Sequence, residues 1–247
     1  MALDIIWHPS PNFGDRPEGA RPDMLVLHYT GMKTGAAALD RMCDPIAAVS
    51  AHYMVEEDGR VFQLVADERR AWHAGISCWQ GESGLNDVSI GIEIVNPGHE
   101  FGYQAFPAEQ MNAVEALSVE LVSRWNIRPQ RVIGHSDIAP DRKQDPGELF
   151  DWARLARAGV GIYPTKQPSA IAPFADREVQ DEERFIAARD LLVAVGYNTA
   201  AIACNADDLE VYVTAFQRHW LPSHLNGAVD ETTMAMMVAV AACMAQA

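Results

Sequence analysis

Two short apolar runs far apart in this chain both end in histidine. Residues 24–27 read MLVL and stop at His28, and residues 132–134 read VIG and stop at His135. Runs of this length read as strands. The second histidine opens residues 135–147, HSDIAPDRKQDPG, which hold one imidazole, three aspartates, a lysine and two prolines in thirteen residues. Two strands that each deliver a histidine, with a loop delivering Asp145, would make a His/His/Asp metal site. Three protein ligands leave a fourth position for water, the arrangement of hydrolytic rather than structural zinc. Pro140 and Pro146 would stiffen the loop that carries Asp145. A plainer reading stands beside this one. Histidines so remote in sequence need not meet, a histidine often just terminates a strand, and Asp before Pro favours a turn.

The remaining pattern is α/β. Strand-like runs cover 24–29, 50–55, 60–65, 88–95 and 131–134, and Asp58-Gly59 marks a hairpin turn between the second and third. Residues 89–95, SIGIEIV, read as a central strand. Pro107 suits a first helical position, with Met111, Val114, Leu117, Leu121 and Trp125 following at helical spacing. A second helix is expected over 148–158, stopped by Gly159. The polar, glycine-rich stretches 8–22 and 74–87 read as loops near the pocket. Strands mixed with helices imply one sheet-centred domain over 1–163. Residues 164–180, with Pro164, Pro168 and Pro173, read as a linker. Helical patterns at 181–195, 207–218 and 231–244 follow, the last with Asp230 as its N-cap. They make a small three-helix domain over 181–247, near the lower limit for independent folding.

Charge and composition narrow the partners. A net charge of −15 opposes nucleic acid or an anionic membrane surface, and no apolar run reaches the ~18 residues of a membrane span. No obligate protein partner is evident. The start, MALDIIWHPSPNFGDRP, lacks a basic region, an apolar core, a cleavage site and a nearby lipid-anchor cysteine. The expectation is a cytoplasmic chain, with a periplasmic location open if the N-terminus is trimmed. Cys43, Cys78, Cys204 and Cys243 show no paired spacing and read as buried reduced thiols.

The segments LVLHYT (25–30), VSAHYMVEEDGRVFQLV (49–65), AWHAGIS (71–77), LNDVSIGIEIVN (85–96) and VIGHSDIAPDRKQDPG (132–147) carry a specific resemblance. In this order they resemble the zinc-dependent N-acetylmuramoyl-L-alanine amidases of the AmpD/AmiD type, which share a fold with T7 lysozyme-like amidases and peptidoglycan recognition proteins. The resemblance covers about the first two thirds of the chain. It implies a mixed central β-sheet flanked by helices and one Zn²⁺ per chain on His28, His135 and Asp145. It also implies hydrolysis of the amide between N-acetylmuramic acid, or its anhydro form, and L-alanine, with peptidoglycan fragments or the sacculus as partner. Asp145 holds the position where some relatives use cysteine. Glu93 matches the general base that moves a proton from water to the leaving nitrogen. Lys143 matches a cation that steadies the developing oxyanion; on the residues alone both read as ordinary solvated side chains.

His73 and His52 are each open as fourth ligand, proton shuttle or structural histidine. Trp72, His73 and Asn86 are candidate substrate contacts, with Asn96 also near the pocket. His8, His99, His219 and His224 belong to no constellation. The fragments LLVAVGY, AFQRHW and NGAVDETT resemble a peptidoglycan-binding helical module, and a structural cap is the alternative. Rival functions are a recognition protein that binds muropeptides without cutting them and an endolysin-type enzyme.

Overall fold

The computed structural model describes residues 3–164, 181–199 and 205–247. The first half runs β1 (Ile5–Trp7), β2 (Phe13–Asp15), β3 (Met24–Tyr29), α1 (Gly35–Cys43), β4 (Tyr53–Val55), β5 (Val61–Gln63), β6 (Arg69–Ala71), β7 (Cys78–Trp79), β8 (Glu82–Ser83) and β9 (Ser89–Ile94). The second half runs α2 (Gly98–Phe101), α3 (Ala108–Trp125), β10 (Val132–Gly134), α4 (His135–Ile138), α5 (Trp152–Arg157), α6 (Asp181–Val195), α7 (Ala206–Trp220) and α8 (Glu231–Gln246). The linker expected over 164–180 lies, apart from Pro164, outside the described residues, as does Cys204. No helix among the described residues is long and apolar enough to cross a membrane. Cys43, Cys78 and Cys243 are free and half-buried, more open than expected.

Six strands form one mixed sheet in the order β1-β5-β4-β9-β3-β10. Only β4 and β5, the expected hairpin, pair antiparallel within it; β9, β3 and β10 run parallel side by side. Their periodicity explains the layering, because successive side chains on a strand face opposite ways. Leu25 and Leu27 of β3, with Ile90, Ile92 and Ile94 of β9, pack against Met111, Val114, Leu117 and Leu121 of α3. Pro107 sits one residue before α3 rather than at its first position, and Asn126 ends the helix in the left-handed region at φ 52°. The expected 148–158 helix is shorter, because Asp151 caps it by accepting from the Arg154 amide at 2.9 Å. Asp230 caps α8 as expected, accepting from the Thr233 amide at 2.9 Å.

The opposite face of the sheet is covered by the C-terminal helices. Met24, Val26, Trp79 and Ile133 share one apolar core with Leu192, Val213, Phe216, Trp220 and Met237. Polar contacts cross the same junction. The Gln80 amide donates to Gly196 O at 2.8 Å, Gln130 Nε2 to Met244 O at 3.2 Å, and Tyr163 Oη to Trp220 O at 3.2 Å. A three-helix unit of this size buries a small share of its surface by itself. Here the helices pack on one another and also use the sheet as part of their core.

Candidate metal centre

The pairing of β9, β3 and β10 builds the site. His28 pairs directly with Glu93 across β3 and β9, and Gly134 of β10 pairs with Leu27, so His135 emerges beside His28. Three neighbouring parallel strands thus deliver these residues at their carboxyl ends, where open α/β sheets bind ligands. Ser136 N–H donates to the Asp145 carbonyl at 2.9 Å and returns the 139–145 loop to the same place. His28 Nδ1, His135 Nδ1 and one Asp145 carboxylate oxygen end 2.9–3.0 Å from one another. All three residues are buried.

Hydrogen bonds around the triad fix where its protons are. Ser89 Oγ–H donates to Leu85 O at 2.6 Å, so its oxygen accepts from His73 Nε2–H at 3.2 Å. The remaining nitrogen of His73, Nδ1, accepts from His28 Nε2–H at 3.0 Å. His135 Nε2–H donates to Ala74 O at 3.2 Å. In neutral rings each Nδ1 therefore carries a lone pair. Burial, then the neighbouring His135, brings the His28 pKa down to about 4 against the pull of Asp145, so the ring is neutral at pH 7. Three electron pairs facing one another without a proton repel unless a cation sits among them. Two neutral imidazoles and one carboxylate suit zinc, whose tetrahedral bonds of ~2.0–2.1 Å keep ligand atoms about 3.3 Å apart. The residues fit the ion with a few tenths of an ångström of adjustment.

A pocket of about 670 Å³ opens over the triad, lined by Glu93, His135, Lys143 and Asp145 together with Tyr29 and His99. Glu93 Oε2 is buried and has no hydrogen-bond partner. Burial, with Asp145 adding, pushes the Glu93 carboxyl well above its usual range, while Lys143 pulls it back. Arg41 and Arg142 also line this pocket, which concentrates cations in an otherwise acidic chain.

The other candidates divide. His73 lines the pocket, but its nitrogens are taken by His28 and Ser89. Trp72, Asn86 and Asn96 do not line it. The Asn86 carboxamide accepts from the His73 and Ala74 amides at 3.1 and 2.8 Å, and Asn96 is spent on Gln104 O and the Gly98 amide. The Trp72 indole nitrogen is buried without a partner. His52 is structural: Nδ1 accepts from the Gly91 amide at 3.0 Å and Nε2 donates to Arg69 O at 3.0 Å. The stretch 8–22 stands away from the pocket lining, and 76–83 borders a different cavity beside Tyr212. His99 does belong to the pocket wall, stacked on Tyr103 at 4.3 Å and bonded to Tyr29 Oη at 2.9 Å.

One face of β9 reads Ser89, Gly91, Glu93, so the strand that buries three isoleucines on one side serves the site with the other. Gly91 is needed for space. A Cβ there would lie 2.5 Å from the His73 ring. Gly91→Ala should cost about 1–3 kcal/mol of stability through overpacking and should lower zinc affinity, because His73 must move off His28. Calorimetric melts and chelator titrations measure both, and an alanine variant with the parent's zinc affinity would refute the dependence on His73.

Acid should destabilise the metal-free protein. His52, like His28, is brought to about 4, chiefly by burial. Unfolded, both rings take up protons near pH 6.5. Stability is therefore intact above that value and declines as pH falls toward 4, by a few kcal/mol in all. Thermal midpoints at pH 7, 6, 5 and 4.5 test this, and a flat profile between 7 and 5 would contradict it.

The fold and site define a hydrolase of the amidase class, and the comparisons agree. The sequence profile described as N-acetylmuramoyl-L-alanine amidase matches residues 18–148, and the chain belongs to that family. It is similar to AmiD of Escherichia coli (strain K12), an N-acetylmuramoyl-L-alanine amidase, with 35% identity over 232 residues that span 89% of this chain and 82% of the relative. It is similar over a shorter stretch to AmpD of Escherichia coli (strain K12), a 1,6-anhydro-N-acetylmuramyl-L-alanine amidase. That match is 36% identical over 164 residues, 60% of this chain and 87% of the relative. Among solved structures, E. coli AmiD in complex with the substrate anhydro-N-acetylmuramic acid-L-Ala-D-gamma-Glu-L-Lys superposes with TM-score 0.76 and 32% identity, covering 93% of this chain and 96% of that one. AmpDH3 from Pseudomonas aeruginosa gives TM-score 0.80 and 33% identity, covering 91% of this chain and 92% of that one.

Proposed function

We propose that this chain is a zinc-dependent hydrolase of the amide between the lactyl group of N-acetylmuramic acid, or its anhydro form, and the L-alanine of the stem peptide, serving peptidoglycan turnover or muropeptide recycling. The observation that carries the reading is the convergence of ligand atoms from His28, His135 and Asp145 at the pocket that also holds the unpartnered carboxylate oxygen of Glu93. Bound zinc would supply Lewis-acid activation of water and of the scissile carbonyl. The protein's own groups do the rest. Glu93 takes a proton as the water oxygen bonds to carbonyl carbon, then returns it to the nitrogen as the C–N bond breaks. Lys143 places its positive charge on the same pocket, where negative charge grows on the carbonyl oxygen. His73, held by Ser89, keeps His28 in the tautomer that leaves Nδ1 free. The similarity to AmiD, whose solved complex holds an anhydro-muramyl peptide, supports the choice of substrate.

Elemental analysis should find one zinc per chain. Mass spectrometry after incubation with a defined anhydro-muropeptide, and separately with sacculi, should show peptides beginning with free L-alanine. A zinc-loaded enzyme that leaves both substrates intact, or that cuts a glycosidic bond, would overturn the reading.

A further inference from the structure

Asp137 lies two residues after His135 and is almost wholly enclosed, at 1% exposure. Its carboxylate accepts three hydrogen bonds: from the Gly134 amide at 2.8 Å, from Tyr197 Oη at 2.6 Å and from His219 Nδ1 at 2.7 Å. Two of the three donors come from the C-terminal helices, Tyr197 just beyond α6 and His219 on α7. The His219 ring cannot swing away. It is stacked 3.8 Å from Trp152 of α5 and 3.7 Å from Trp220 of α7. A carboxylate this deep is tolerable only while its lone pairs are occupied.

What Asp137 grips is the turn that sets two of the three ligands. α4 is a single turn of four residues, too short to hold its shape by its own hydrogen bonds. It begins with His135, and its Ser136 amide holds the Asp145 carbonyl. Gly134, which Asp137 binds, presses so close to Pro146 that a Cβ there would lie 2.8 Å from the proline ring. The direction of His135 and the seat of Asp145 therefore depend on one carboxylate, and that carboxylate depends on donors from the C-terminal helices.

We propose that Tyr197 and His219 are positioning residues for the metal centre, acting through Asp137. The C-terminal helices clamp the α4 turn and so preset the ligand geometry, although neither residue touches the ion or the substrate. This rests on the zinc reading of the triad. Loss of either donor should weaken zinc binding on the order of 10–100-fold, the scale of lost outer hydrogen bonds at metal sites.

The test uses the full chain and reads zinc affinity by chelator competition and the visible spectrum of the cobalt(II)-substituted protein. Tyr197→Phe removes one oxygen, and His219→Phe keeps a ring between the tryptophans while removing the donor. Both should raise the zinc dissociation constant about 10–100-fold and alter the cobalt spectrum. His219→Asn, which restores a nitrogen donor, should recover most of the affinity. Leu209→Ala on α7 is the control. It lies in the same core without a bond to Asp137, so it should lower the melting temperature and leave affinity and spectrum alone. Tyr197→Phe is mild enough to be read even if His219→Phe does not fold. Unchanged affinity and spectrum in Tyr197→Phe and His219→Phe would overturn the proposal, as would an equal affinity loss in Leu209→Ala. A parent protein that binds no zinc would instead bring down the metal reading beneath it.

Discussion

Alanine at His28, His135 or Asp145 is expected to strip the protein of zinc and of nearly all hydrolysis. Each contributes one of three mutually close ligand atoms, and two ligands hold the ion poorly. Loss of an outer hydrogen-bond partner alone weakens metal sites ~10–100-fold, so loss of a ligand should exceed that range. Elemental analysis of protein purified without added metal, together with turnover of a soluble muropeptide, measures the effect. Full zinc occupancy in Asp145→Ala would hand the third position to another group. The hydrogen bonds of His73 to His28 and Ser89 argue against that residue taking it.

Glu93→Gln should retain zinc and lose kcat by ~10²–10⁴-fold, with little change in KM, because the shape is kept and only the proton acceptor is gone. The pH profile separates this from general damage. Burial and Asp145 raise the Glu93 carboxyl, and Lys143 lowers it. A base works only when deprotonated, so the rate should fall as pH drops through that raised pKa, giving an acidic limb above the usual carboxylate range. The limb should vanish in Glu93→Gln. In Lys143→Met the opposing cation is removed, so the limb should move to higher pH while kcat falls on the order of 10²-fold. A zinc-replete Glu93→Gln enzyme within a few-fold of the parent would sink the assignment of Glu93 as base.

Continuous apolar runs and clear stop signals made part of this structure legible from sequence. The run at 24–29 and the helix at 181–195 match β3 and α6 at both ends, the first as an unbroken apolar run and the second because Gly196 stops it. His28 and His135 stand out because each closes an apolar run, but it was the family resemblance that grouped them with Asp145, and the structure brings the three together. Short or weakly patterned elements were not legible. β1 has three residues and takes its place by pairing with β5; β6 reads RRA and is a strand only because β2 lies beside it. α1 spans nine residues and buries a small face, Gly35, Ala38 and Met42, too slight to stand out in sequence. Thr34, which accepts from the Ala37 amide, was a further local cue.

The side-chain roles that failed to show are those decided by remote partners. Asn86 resembles a substrate contact until a turn aims its oxygen at the amides of His73 and Ala74. His219 resembles a surface residue of an amphipathic helix. Asp137 and Trp152, which give it a role, come from elsewhere in the chain, and no periodicity within α7 encodes them.

The shared core of sheet and C-terminal helices bears on how such a chain can be rearranged. Trp79, Met24 and Ile133 keep their cover only while Phe216, Trp220 and Met237 are in place. The two parts should therefore unfold in one cooperative transition, as a single domain does. The helices cannot be exchanged like an appended module, because their inner surface is cut to this particular sheet. Recombination that joined them to another amidase would have to carry the matching face of the sheet along.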